Sequence, residues 1–155
     1  MTTALDAALA YLAAGYSVIP CKPGSKVASI KWEEYQNRLP TIEEVTEWWI
    51  TSPAANIAVV TGRVSNLTII DIDGEEGLQS ARKIISEQRI ETRTIKTPKG
   101  YHLYFQYDSR FHTGAGFLPG VDIRNDGGYV IAPTSAVDGK PYSLFRDRAV
   151  AVIPF

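Results

Sequence analysis

Asp71 and Asp73 interrupt an otherwise apolar run, Leu67-Thr68-Ile69-Ile70-Asp71-Ile72-Asp73-Gly74. The β-branched Thr and Ile residues, bounded by Asn66 and Gly74, predict a β-strand. Side chains alternate along a strand, so both aspartates leave one face while Ile70 and Ile72 leave the other. Carboxylates held that close repel, and the neighbouring isoleucines make their ionised forms costlier. A divalent cation offsets that cost, and hard oxygen ligands on one face suit Mg²⁺ or Mn²⁺. The pair is equally readable as an ordinary strand end, with both acids solvated or capping the next helix.

Two later segments carry related chemistry. His102, in Tyr101-His102-Leu103-Tyr104-Phe105, leaves the strand face opposite Tyr101 and Leu103. A lone histidine fits a structural role, but this one follows Thr97-Pro98-Lys99-Gly100, a turn of the sort that approaches a phosphate. Val121-Asp122-Ile123-Arg124-Asn125 sets Asp122 and Arg124 on one face. They form either a surface ion pair of little energetic weight or a third metal carboxylate with a basic neighbour. Three acids, a histidine and several lysines on strands or their preceding turns are more specific together than any one alone.

The elements that must position these residues are readable in outline. Thr3 to Ala14 is rich in Ala and Leu, with Gly15 placed to end a helix. A short strand over Tyr16–Pro20 leads into a long connection, residues 21–40, which carries Lys22, Lys26, Lys31 and Trp32. Loops of that length are often functional, and this one is expected to be. Thr41 and Glu44 predict a capping box for a helix packing through Val45, Trp48 and Trp49. Ala55–Gly62 reads as a buried strand, and Gly74–Arg89 as an amphipathic helix with Leu78, Ala81, Ile84 and Ile85 on one face. Strands follow over Thr92–Thr97, Tyr101–Tyr107, Val121–Asn125 and Gly128–Ala132, with weaker candidates at Tyr142–Phe145 and Val150–Ile153. Asn125-Asp126-Gly127-Gly128 predicts a hairpin between two of them. The fold class is α+β, one domain with helices early and antiparallel strands late.

Composition bounds the rest. A chain of 155 residues, 45% hydrophobic and 21% charged, fits one globular domain. Cys21 is the only cysteine, which excludes an internal disulfide and a cysteine-based zinc site and suits a reducing compartment. No apolar run approaches a membrane span and no basic leader precedes Leu5, so a soluble, cytoplasmic protein without a membrane partner is expected. The net charge of −1 lacks the global basic signature of a charge-driven DNA binder, but leaves room for basic groups gathered around a groove.

In order, the chain presents an Asp-x-Asp strand, a Thr-Pro-x-Gly-x-His strand, and a Val-Asp-Ile-Arg strand leading to Gly-Gly-Tyr-Val-Ile-Ala-Pro. This resembles the N-terminal primase-polymerase (Prim-Pol) domain of bifunctional replication proteins, in the archaeo-eukaryotic primase superfamily. The resemblance runs from Gly15-Tyr16-Ser17-Val18-Ile19-Pro20 through Pro53-Ala54-Ala55-Asn56-Ile57 and Thr61-Gly62 to Ala132-Pro133-Thr134-Ser135, Gly139 and Tyr142. It implies a catalytic domain over residues 1–155, a mixed or antiparallel palm sheet related to an RNA-recognition motif, with a small N-terminal α/β unit. Asp71, Asp73 and Asp122 occupy the family's metal-ligand positions, and His102 the position associated with the incoming nucleotide's phosphates. Lys26, Lys99 and Arg124 match as further nucleotide or template contacts, although Val27-Ala28-Ser29 follows Lys26 where the family often has a proline.

The implied activity is a DNA primase/polymerase, a nucleotidyltransferase using two Mg²⁺ or Mn²⁺ ions. Its partners would be dNTP or NTP, a single-stranded DNA template with primer, and a helicase domain or helicase partner. Phe155 falls about where such a domain ends, so the chain is expected to be the N-terminal part of a longer replication protein. Two other readings remain at this point. A metal-dependent nuclease uses similar residues, and a non-catalytic nucleic-acid or nucleotide-binding module could stack bases on Tyr101, Tyr104 and Phe105.

Overall fold

The computed structural model describes residues 2–155, with Met1 outside them. Helix α1 (Ala4–Ala13) begins at Thr3, whose hydroxyl accepts from the Asp6 N–H while the Asp6 carboxylate accepts from the Thr3 N–H. Gly15, at φ 96°, turns the chain towards β1 (Val18–Cys21). Helix α2 (Ile42–Thr51) carries the expected capping box, reciprocal bonds between Thr41 and Glu44. Then come β2 (Asn56–Val60), β3 (Leu67–Asp73), α3 (Gly74–Gln88), β4 (Thr94–Lys96) and β5 (Gly100–Gln106). The last third holds β6 (Gly114–Leu118), β7 (Val121–Arg124), β8 (Tyr129–Ala132), β9 (Ala136–Val137), β10 (Lys140–Pro141) and β11 (Ser143–Arg146).

These strands form two antiparallel sheets and a small hairpin. The large sheet has six strands in the order β11-β4-β5-β3-β7-β6, so β3 is interior; the small one has the order β1-β2-β8. Strand alternation sends the large sheet's side chains into two separate cores. Ile70, Ile72, Leu103, Phe105, Val121 and Ile123 pack with Ala81 of α3 on one face. On the other, Leu67, Ile69, Ile95 and Tyr104 join Ala8, Val45, Trp49, Ile57, Val59 and Ile131. Each fully buried Val, Leu, Ile or Phe side chain among these contributes about 1.5–3 kcal/mol, before the entropy cost of ordering it. The face of β3 that enters the second core at Leu67 and Ile69 is the face that carries Asp71 and Asp73. The acids therefore emerge where the packed region between the sheets gives way to a cleft.

Three expectations need correction. Asn125–Gly128 does not close a hairpin: β7 pairs with β3 and β6, whereas β8 pairs with β2 in the other sheet. The turn residues are used to carry the chain across. Buried Asn125 donates from Nδ2 to the carbonyls of Asp108 (2.9 Å) and Phe111 (2.8 Å), and its Oδ1 accepts from the Thr68 hydroxyl (3.2 Å). The Asp126 carboxylate accepts from the Arg63 N–H (2.9 Å) beside Gly62, where a Cβ would lie 2.4 Å from Asp126 Oδ1. The small α/β unit is accordingly not contiguous, since its third strand comes from the C-terminal half. Val150–Ile153 forms no strand beyond a single bridge from Ala151 to Phe105. Strand β6 was not expected, because Gly114-Ala115-Gly116 lacks β-branched residues.

Asn125→Ala removes the side-chain donor from two carbonyls at the crossover. It is expected to lower the unfolding free energy by ~2 kcal/mol, read as a reduced urea midpoint with an unchanged slope.

Candidate active site

The site is built on one row of paired residues across the large sheet. Asp71 stands directly opposite His102 of β5 on one side and Asp122 of β7 on the other. Antiparallel register thus brings together three residues that are far apart in sequence. Asp73 follows two positions later, and carboxylate oxygens of Asp71, Asp73 and Asp122 all lie within 4.8 Å of one another. Asp73 also occupies the residue before α3, yet its side chain makes no capping hydrogen bond. That removes the helix-cap reading of the pair.

Asp71 is the most enclosed of the three. His102 Nε2 lies 3.3 Å from Asp71 Oδ1, near enough for an ion pair but outside hydrogen-bond geometry; buried Asp71 Oδ1 and, at the other ring nitrogen, His102 Nδ1 have no hydrogen-bond partner among the described residues. A buried carboxylate oxygen left unpartnered beside two other acids fits a cation-binding position. Arg124 Nη2 sits 4.0 Å from both Asp71 Oδ2 and Asp122 Oδ2, and the Gly116 N–H donates to Asp122 Oδ1 at 3.0 Å.

The turn before His102 is shaped by a close approach. Thr97 Oγ1 accepts from the Gly100 N–H (3.0 Å), and the Gly74 N–H donates to the Lys99 carbonyl (2.9 Å). Gly100 pairs with Asp73, and a Cβ there would come within 1.9 Å of the Ile72 carbonyl oxygen. Only glycine lets Lys99 be set down beside Asp73.

Lys26 arrives from the long β1–α2 connection. The Lys22 N–H donates to the Val27 carbonyl (2.8 Å) and the Ser29 N–H to the Pro20 carbonyl (3.0 Å), making a compact excursion. The Tyr129 hydroxyl donates to the Lys26 carbonyl at 2.6 Å, and Trp32 meets the Tyr129 ring edge-on at 5.0 Å. The loop is held this way although Val27 follows Lys26. Lys26, Asp71, Asp73, Thr97, Lys99 and His102 line a cavity of about 180 Å³. A smaller one, about 80 Å³, lies beside Arg124, Asp71 and Tyr129. Six of the seven candidate residues line these two cavities, which share Lys26, Asp71 and His102, and Asp122 joins them through its approach to Asp71 and Asp73; Lys22 and Lys31 line neither cavity.

Electrostatics divides the acids. Burial pushes Asp71 up, but His102, Arg124 and Lys26 more than offset it and hold the carboxyl below the ordinary aspartate value. Burial, then repulsion from Asp71, pushes Asp73 up. Tyr142, whose ring centre is 6.0 Å from that of His102, is pushed up to about 12 by burial and then by Asp71 and Asp73, so its hydroxyl keeps its proton.

Tyr142, Lys140 and the β9–β10 turn residue Asp138 also line the larger cavity, and were not anticipated as site residues. The available signal was the Asp138-Gly139 turn, which marks a two-residue hairpin. The aromatic platform does not form: Tyr104 and Phe105 are buried, and Tyr101 faces away from the acids, beside Phe145. Tyr101 instead borders a cavity of about 380 Å³ against α3, larger than the acidic cleft but lined by no residue of the triad.

An α+β domain with a carboxylate triad and a buried histidine on one sheet face defines a candidate metal-binding site. The chain belongs to the Prim-Pol family, described as bifunctional DNA primase/polymerase, N-terminal, whose model matches residues 8–155. No curated protein matches it. Membership points to a nucleotidyltransferase-type enzyme of replication, with nucleotide and DNA substrates. No helix among the described residues is long and apolar enough to cross a membrane.

Asp73→Asn is expected to raise the melting temperature of the metal-free protein at pH 7 by about 2 °C, since screening discounts repulsion at a half-exposed carboxyl. The raised Asp73 favours folding at acid pH and that contribution is lost as pH rises through its folded value, so the gap between variant and wild type should close on acidification. Thermal scans across pH check both.

Proposed function

We propose that this chain is the catalytic domain of a DNA primase/polymerase, joining (d)NTPs to a primer 3′-hydroxyl or an initiating nucleotide on a DNA template. The observation that carries this reading is the row Asp122–Asp71–His102 with Asp73 beside it, in a cleft that also collects Lys26, Lys99 and Arg124. Family membership supports it independently. The six-stranded antiparallel sheet, with α3 on one face and the acids on the other, supports a palm related to the RNA-recognition motif. The family's description as an N-terminal domain supports a place at the start of a longer replication protein, and a helicase domain or partner is proposed with it.

Asp71, Asp73 and Asp122 would hold two Mg²⁺ or Mn²⁺ ions, for which the unpartnered Asp71 oxygen and the oxygen-only donor set are suited. Bound there, the ions would supply Lewis acidity to the 3′-hydroxyl and charge neutralisation to the triphosphate. The protein's own groups do the remainder. Asp71 stays ionised at neutral pH because its basic neighbours outweigh burial. His102, packed between Asp71 and Ile95 in the sheet, presents Nε2 towards the acids and is assigned to the nucleotide's phosphates. Lys26 and Lys99 add positive charge on the same side, and Arg124 bridges the far side of Asp71 and Asp122. Enclosure of Asp71 and His102 excludes water and strengthens each of these interactions.

Asp71→Ala should reduce primer extension about 10³-fold or more with the fold retained, whereas His102→Ala should mainly raise the KM for nucleotide or slow transfer. Labelled primer-template, incubated with and without dNTPs, separates extension from cleavage, and omitting the primer tests initiation. Full extension by Asp71→Ala at saturating Mg²⁺ or Mn²⁺ would sink the metal assignment. Cleavage independent of dNTPs would favour the nuclease reading.

A further inference from the structure

On the face of the large sheet opposite the acids, α3 packs over β3, β5 and β7, and a cavity of about 380 Å³ separates it from β4 and β11. The floor of this groove is apolar and already covered, since Ile72, Ala81 and Leu103 are buried. Its mouth is different. Phe145 is 51% exposed, and its ring centre lies 5.0 Å from that of Tyr101. Lys96 Nζ stands 4.8 Å from the Tyr101 ring centre, and the Arg146 guanidinium carbon 5.6 Å from that of Phe145. Cations and rings thus alternate across β4, β5 and β11 in the order Lys96, Tyr101, Phe145, Arg146. A register shift between Leu144 and Arg146 turns the consecutive residues Phe145 and Arg146 into the same cavity, as a bulge re-aims side chains. Arg82 lines it from α3, and Glu91 is the one acid that does so. Among the described residues, no carboxylate lies within ion-pair distance of Arg82, Lys96 or Arg146.

We infer that this groove is a second DNA site, which takes an unpaired single strand with its bases on Tyr101 and Phe145 and its phosphates on Arg82, Lys96 and Arg146. This rests on the DNA-handling reading above and extends it to the sheet face that carries none of the acids. An apolar helix of a protein partner would gain little from a floor that is already buried, whereas ring faces and unpaired cations are what the mouth offers. A duplex keeps its base faces stacked within itself and could use only the cations. The net charge of −1 supplies no general attraction to DNA, so local cations decide where a phosphate chain settles. The path from the acids is short. Strand β11 is an outer strand and starts at Ser143, next to Tyr142 of the acidic cavity. Phe145 lies about 10 Å further along, at about 3.3 Å per residue, so a strand leaving the acids reaches the groove around a single sheet edge.

Fluorescence anisotropy with labelled oligo-dT, in EDTA and without dNTPs, tests this apart from catalysis, and photo-cross-linking of an iodouracil-containing strand locates the contact. Wild type should cross-link at Tyr101 or Phe145. Phe145→Ala should weaken oligo-dT binding about 10-fold, the loss of one stacked base, while Phe145→Trp should stay within about 3-fold of wild type. Arg146→Ala should reduce the slope of log K against log salt by about 0.7, the loss of one phosphate contact. Unchanged binding by Phe145→Ala, a loss that tryptophan does not restore, or an unaltered slope for Arg146→Ala overturns the inference. Cross-links confined to the acid-bearing face overturn it too and leave the nucleotidyl-transfer reading standing. A groove that binds an acidic, leucine-rich helical peptide but no oligo-dT overturns it in favour of a protein partner. Groove cross-links from a wild type that extends no primer support the inference and count against the catalytic reading alone.

Discussion

The alternation of β3 is the constraint on which the rest depends. One face of this strand must be apolar at Leu67 and Ile69, where the sheets pack together, and acidic at Asp71 and Asp73 a few ångströms further on. A one-residue slip of register would send both acids into the core against α3 and bring Ile70 and Ile72 into the cleft. The apolar residues that stabilise the domain therefore also fix the aim of its carboxylates. The packing of β3 and the direction of Asp71 and Asp73 are specified by the same seven residues.

Concentrating acids at the edge of a core costs stability, and the surroundings are arranged to limit that cost. Asp71 is relieved by His102, Arg124 and Lys26, which approach from three different segments. Asp73, nearer solvent, carries the residual repulsion. An asymmetric pair of this kind keeps one carboxylate ionised over a wide pH range while leaving the other responsive to whatever cation or proton arrives.

Much of this was legible from local signals. Thr41 with Glu44 announced α2, and the Ile and Thr residues around Asp71 announced β3, because capping and strand patterns are written within a few neighbouring residues. The shared face of Asp71 and Asp73 was legible for the same reason: each acid lies in an alternating run whose faces can be counted. Register was not. That Asp71 stands between His102 and Asp122 depends on pairing across the sheet, which no single segment encodes. Asn125–Gly128 shows the limit most clearly, since its turn chemistry signalled a reversal without stating which sheet receives the next strand. Lys140 escaped notice because it sits on a strand of two residues ending in Pro141, too short for any periodicity.

The crossing at Asn125–Gly128 has a consequence for how the domain comes into being. Because β8 completes the sheet begun by β1 and β2, the first sheet stays open at one edge until nearly 130 residues have been joined. A chain emerging stepwise can bury α1 against α2 early, but it cannot close the cleft or bring Tyr142 against His102 until its last part is available. Order of synthesis and order of assembly are thereby separated, and the Lys26 loop gains the Tyr129 hydroxyl that holds its carbonyl only once β8 is available.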